Sequence, residues 1–168
     1  MASFRALALL AAHPDDAARA RDEVTEGTLE LPFLRACVLE SVRLWPTTPA
    51  ILRDTTAAVR LGAATVPPGA AVMIFAPLFH RDPHLACADR FCPDLWRDRR
   101  ASDEWPLVPF SAGPADCPGR NLVLLTASSL LARLMGDGTP RQARPALLRA
   151  DEPLPATLSP FRLRFHLA

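Results

Sequence analysis

The segment Phe110-Ser-Ala-Gly113-Pro-Ala-Asp-Cys117-Pro-Gly119-Arg-Asn-Leu122 holds the residue types most able to do chemistry. Cys117 lies in a glycine-punctuated turn immediately before a predicted helix that opens with Pro118 and Gly119. Unpaired N–H groups and the positive end of that helix would lie beside the sulfur and favour thiolate over thiol. A thiolate is what a metal or an electrophile requires. Gly113 and Gly119 remove side chains on either side of the sulfur, so a large flat ligand could approach the backbone there, and Phe110 could cover the sulfur from water. Two other constellations carry charge or ligand chemistry. Glu40 and Arg43 are three apart on one predicted helix and can meet; taken alone they read as an ordinary surface pair. His80, His84, Cys87 and Cys92 form H-x3-H-x2-C-x4-C, with the ligand types of a structural zinc site. The alternative function is therefore a zinc-stabilised binding module. Pro83 counts against it, because it interrupts any helix that would put both histidines on one face, and the Cys117 turn would go unexplained.

The elements that must position these residues follow from periodicity and proline. Phe4, Leu7, Leu10 and Ala11 mark one face of a helix over residues 2–12, which His13-Pro14 ends. The chain starts with no N-cap, as if in the middle of that helix. Pro14-Asp15-Asp16 open a polar helix running to about Thr25. A third helix begins at Pro32, carries Leu34, Val38, Val42 and Trp45 as a stripe, and stops at Pro46. Short runs rich in Val, Ile and Thr from Ala50 to Phe75, broken by Gly62 and Pro67-Pro68-Gly69, predict strands and turns. Residues 76–109 show no period and predict a long ordered meander. A last helix runs to about Met135 with Leu122, Leu125, Ser129 and Ala132 on one side. Leu154–Leu158 and the alternating Phe161–Phe165 predict a hairpin. The aromatic side chains Phe33, Trp45 and Phe75 are expected in the core.

Composition sets the outer limits. At 168 residues with 49% apolar and 22% charged side chains, the chain can bury a core and is not a disordered polar polymer. Its apolar runs are far shorter than the roughly 18 residues a membrane-spanning helix needs, so no membrane segment is expected. A net charge of +1 lacks the broad basic field that nucleic acid would require, and the Arg97, Arg99, Arg100 cluster reads as a solvated loop. All basic residues other than histidine are Arg, which reads as codon bias in a GC-rich genome. Four cysteines without a signal peptide are expected as reduced thiols.

The chain resembles the cytochrome P-450 haem-thiolate monooxygenases. Their F-x-x-G-x-x-x-C-x-G signature is met by Phe110, Gly113, Cys117 and Gly119, and their earlier E-x-x-R by Glu40 and Arg43. The strands, the His80-Arg-Asp-Pro83 turn and the Phe91-x-Pro93-x-x-Trp96 meander stand in the matching order. The resemblance implies a mixed α and β fold, mainly α, with small antiparallel sheets: the C-terminal haem-binding part of such a protein, residues 1–168 forming a single partial domain. It implies haem b, with Cys117 as the iron ligand and catalytic centre and Phe110, Gly113 and Gly119 around it. Arg53 would bind a haem propionate, unless it is only a charge on a strand edge in water. Glu40 and Arg43 would be structural. Residues 48–52 and the hairpin tip near Leu158 would line a substrate pocket.

The activity implied is insertion of one oxygen atom of O2 into a small organic substrate, with electrons from a ferredoxin or flavoprotein reductase. The oxygen-handling turn of the distal helix would lie before Met1, so the chain alone is expected to be inactive. The absence of an anchor suits a bacterial, cytoplasmic protein. Two positions depart from the family pattern. Ala115 stands where Arg or His often holds a propionate, and Leu95 stands where an Arg usually completes the Glu-Arg network, so Arg90 or Arg97 would have to reach in.

Overall fold

Three helices form where apolar spacing and proline place them. A computed structural model describes residues 1–98, 107–143 and 146–167, and each structural statement below concerns those residues. Helix α1 spans Ala2–Ala12 and α2 spans Pro14–Thr25. They divide at His13, which a following proline pushes out of the helical region, to φ −119° and ψ 90°. Helix α3, Pro32–Leu44, is buried everywhere except Pro32 and Arg35. A helix dry on all sides belongs at the centre of a core. Helices α1 and α2, and α5 at Arg120–Asp137, pack around it.

The entry to α3 is held from a distance. Leu31, at the N-cap, adopts a left-handed backbone and offers no side-chain cap. The carboxylate of Glu23 on α2 fills that role, accepting the N–H groups of Phe33 at 2.6 Å and Leu34 at 2.9 Å. These are two of the four N–H groups that every helix start leaves without a partner.

After α3 come the strands. β1 (Ala50–Asp54) pairs antiparallel with β4 (Ala71–Phe75), from Ala50 opposite Phe75 to Asp54 opposite Ala71. Between them β2 (Val59–Leu61) and β3 (Ala64–Val66) form a hairpin across Gly62. Helix α4 (Ala76–His80) follows β4 directly, and the meander contains a 3-10 turn at Pro93–Trp96. The architecture is thus mixed α and β, mainly helical, with small antiparallel sheets, as the sequence leads one to expect.

Three expectations need correction. The C-terminal hairpin pairs other residues: β5 (Pro140–Gln142) runs antiparallel to β6 (Phe165–Leu167), while Pro160–Arg162 is a 3-10 turn. Pro153, Pro155 and Pro160 lack the N–H a ladder needs, and Leu154, Leu158 and Leu163 point into the core as separate anchors. Arg5 fastens this tail, its guanidinium donating to the carbonyls of Leu158 and Trp45. On α5 the buried face is Leu124, Ala127, Ser128, Leu131 and Met135, whereas Leu122 and Leu125 are exposed. Four consecutive apolar residues, Leu122 to Leu125, fit more than one face, so period alone cannot choose. Phe33 and Trp45 are in the core, but Phe75, the last residue of β4, is 46% exposed.

Candidate functional site

Glu40 and Arg43 lie on the most buried stretch of α3, and both side chains are fully inaccessible. The i,i+3 spacing lets the guanidinium fork meet the carboxylate twice, Nη2 to Oε1 at 2.7 Å and Nε to Oε2 at 2.8 Å. The remaining capacity of each group goes to the meander. Arg43 donates to the carbonyls of His80, Cys87, Ala88 and Arg90. Glu40 accepts the backbone N–H of Cys92 at 3.0 Å and the indole N–H of Trp96 at 2.8 Å. Burial works to lower the Arg43 pKa, but the bonds and charge of Glu40 outweigh it and raise the guanidinium above its ordinary value. The pair is therefore a buried staple between α3 and residues 80–96, not a surface pair.

The expected third partner is corrected here. Arg90 contributes its carbonyl rather than its side chain, Arg97 pairs with Asp94, and Leu95 is buried. Trp96 takes the position in the network that an arginine was expected to fill. A sequence signal existed, since a tryptophan packed into a meander must find an acceptor for its N–H. Arg99 and Arg100 of the expected solvated cluster lie outside the described residues.

The zinc alternative does not assemble. His80 is fully buried, with its Nε2 accepting the Val108 N–H at 3.0 Å, whereas His84 is exposed and bonded to Asp82. Burial pushes the His80 imidazole down to about 4. Burial and then a hydrogen bond with Cys87 push the Cys92 thiol up. Among the described residues no group of three or more His, Cys, Asp or Glu could hold a metal ion. All four cysteines are unpaired.

Cys117 is half-buried at the mouth of α5. Its N–H donates to the Phe110 carbonyl at 2.9 Å and to Asp116 Oδ1 at 3.0 Å, so the segment leading into Cys117 folds back on the residue's own backbone. Gly113 has φ +69°, a region where a side chain would be strained, and no atom lies within 4 Å of where its Cβ would stand. Gly119 differs: its backbone is one any residue adopts, and an added Cβ would meet the Cys117 sulfur at 3.8 Å. That distance is an ordinary van der Waals contact, so the glycine places the helix start against the sulfur without being required by the backbone.

A cavity of about 170 Å3 opens beside the sulfur, lined by Thr48, Ile51, Ala76, Val108, Phe110 and Ser111 among others. Strand alternation puts Arg53 on the same face of β1 as Ile51. Its guanidinium crosses to Ser111, donating from Nη2 to Oγ at 3.1 Å, and remains exposed. Arg53 is therefore neither remote from the cysteine turn nor a bare strand-edge charge. Leu158, expected beside the pocket, is instead a core residue away from this cavity. Ala115 is exposed in the 3-10 turn Gly113–Ala115 and adds no polar group.

One half-buried thiol beside a mostly apolar cavity is compatible with the haem that the family resemblance implies. A single sulfur cannot enclose a bare ion, which takes about four protein ligands. It can serve an iron that brings its own equatorial nitrogens and needs one axial atom. An open glycine on one side, an exposed cation at Arg53 and apolar lining fit a flat, partly anionic macrocycle of that type.

Comparison with known proteins agrees. The family profile described as Cytochrome P450 matches residues 1–136. Cytochrome P450 4g15 of Drosophila melanogaster is 33% identical over 120 residues, 68% of this chain and 21% of its own length. Probable cytochrome P450 4s3 of the same organism is 33% identical over 136 residues, 77% of this chain and 28% of its own. Cyclooctat-9-en-7-ol 5-monooxygenase of Streptomyces melanosporofaciens is 34% identical over 139 residues, 75% of this chain and 30% of its own. The chain thus spans less than a third of the length of these relatives. They come from an insect and a bacterium, so the expected bacterial source gains no support from them. With a profile match over most of its residues and relatives of this kind, the chain belongs to the cytochrome P450 family.

Proposed function

We propose that residues 1–168 form one partial domain, the proximal haem-binding part of a monooxygenase. Haem b, when bound, would supply the iron chemistry that inserts one oxygen atom of O2 into a small organic molecule, with electrons from a ferredoxin or flavoprotein reductase. The observation that carries this reading is the half-buried thiol of Cys117, a residue whose backbone N–H is held by Phe110 at the mouth of α5 and which lines a mostly apolar cavity.

On this reading each residue has a defined task. Cys117 would hold the haem iron through its sulfur, the kind of ligand that favours oxygen activation. Phe110 limits water at the sulfur, and the glycines leave room for a flat ring. Arg53 offers a propionate a two-pronged cation, exchanging its bond to Ser111 for a charged partner. Glu40 and Arg43 would be structural, holding the meander through the bonds they make to it. The setting is cytoplasmic, which suits four unpaired cysteines.

Elemental analysis tests the proposal. The protein is produced with a haem precursor supplied, and iron, zinc and haem are quantified beside a Cys117→Ser variant. Stoichiometric haem iron that falls sharply in the variant is the expected result. Stoichiometric zinc without haem would favour a binding module instead.

A further inference from the structure

His80 ends α4, is fully buried, and has no task in the function proposed above. Two parts of the molecule grip it at once. Its carbonyl accepts Arg43 Nη1 at 2.6 Å, which ties its main chain to the Glu40–Arg43 staple. Its imidazole Nε2 accepts the N–H of Val108 at 3.0 Å, twenty-eight residues further along the chain. Because Nε2 accepts, the proton of the neutral ring sits on Nδ1, and that atom has no partner among the described residues. Leaving a buried donor unmet is costly, so the ring is not placed there to serve many polar groups. It serves one.

That one bond stands at the root of the cysteine turn. The Val108 carbonyl accepts the Ser111 N–H at 3.1 Å, closing a turn over residues 108–111. The next link is the Phe110 carbonyl, which accepts the N–H of Cys117 itself. Val108, Phe110, Ser111 and Cys117 line a single cavity, with Ala76 of α4 also in its wall. A series of hydrogen bonds and short turns therefore runs from the buried ion pair, through His80, to the backbone of Cys117.

We infer that His80 is a positioning residue for Cys117: its imidazole pins the 108–111 turn to the Glu40–Arg43 staple and so fixes where the sulfur stands. The inference rests on reading Cys117 as the axial ligand. A ring present only to fill volume, edge-on to Phe79 at 5.0 Å, would do none of this.

Two substitutions separate these roles in the haem-loaded protein. His80→Leu fills the space without an acceptor. His80→Gln restores an acceptor oxygen near the place of Nε2. The readouts are hydrogen exchange at the Val108 amide and the position of the carbon monoxide band of the reduced protein. His80→Leu is expected to speed Val108 exchange roughly tenfold, the scale of one net hydrogen bond, and to move much of the band to shorter wavelength. His80→Gln is expected to restore both. Wild-type exchange and band position in His80→Leu would overturn the inference. So would a His80→Gln protein that behaves no better than His80→Leu, and if the leucine variant does not fold, His80→Gln against wild type decides alone. A wild-type protein without the thiolate band refutes the axial-ligand reading itself, a failure visible before any variant is compared.

Discussion

Glu40 and Arg43 have no water to fall back on, so each is held by the other and by the meander. Removing one partner leaves a buried charge uncompensated, and Glu40→Ala should cost roughly 3–5 kcal/mol in denaturant unfolding. A loss under about 1 kcal/mol would assign the pair the energetics of a surface contact. Trp96→Phe keeps the ring and deletes the indole donor to Glu40; a loss of about 1–3 kcal/mol is expected, and no loss would remove Trp96 from the network. His80 predicts an acid response. Its folded pKa of about 4 lies below the ordinary 6.5, so between those values the unfolded chain takes up a proton that the folded chain refuses. Stability from this residue is complete above about pH 6.5 and is lost as pH falls through about 4, on the order of 3 kcal/mol in all. Comparing unfolding at pH 7 and pH 4.5 checks this, and His80→Gln should lose that part of the difference.

At the scale of elements, proline made the fold legible. Pro14, Pro32 and the pre-proline residues His13 and Trp45 set helix bounds that the structure reproduces, because a missing N–H and a fixed φ are local effects. What depends on distant partners was not legible. The buried face of α5 is decided by α2 and α3, not by its own period. The partner of β6 is decided by which leucines in the tail reach the core. The cap of α3 comes from Glu23, ten residues from Phe33, with no capping motif to announce it. Glu23→Ala would leave two N–H groups unpaired at a buried helix start and should destabilise by about 1–3 kcal/mol, with Glu23→Gln recovering part. Equal stability of all three proteins would contradict the capping role.

At the scale of the molecule, the cysteine turn was readable because its chemistry is concentrated in one stretch, Phe110 to Gly119. The links from Arg53 to Ser111 and from His80 to Val108 were not, since they join segments 58 and 28 residues apart. Several large apolar side chains lie open on the surface. Leu52 and Met73, paired across β1 and β4, are 71% and 63% exposed, and Leu122 on α5 is 65% exposed. Apolar side chains left open in this way favour association, so the 168-residue chain alone should sediment as oligomers in dilute solution. A monomer with a high thermal midpoint would contradict that expectation. Among the described residues no helix is long and apolar enough to cross a membrane. Whether the sulfur of Cys117 binds a porphyrin iron is read by adding carbon monoxide to the reduced, haem-loaded protein. The red-displaced Soret band of thiolate ligation is expected, and its loss in Cys117→Ala; no such band in the wild type, or an unchanged band in the variant, would refute the ligation.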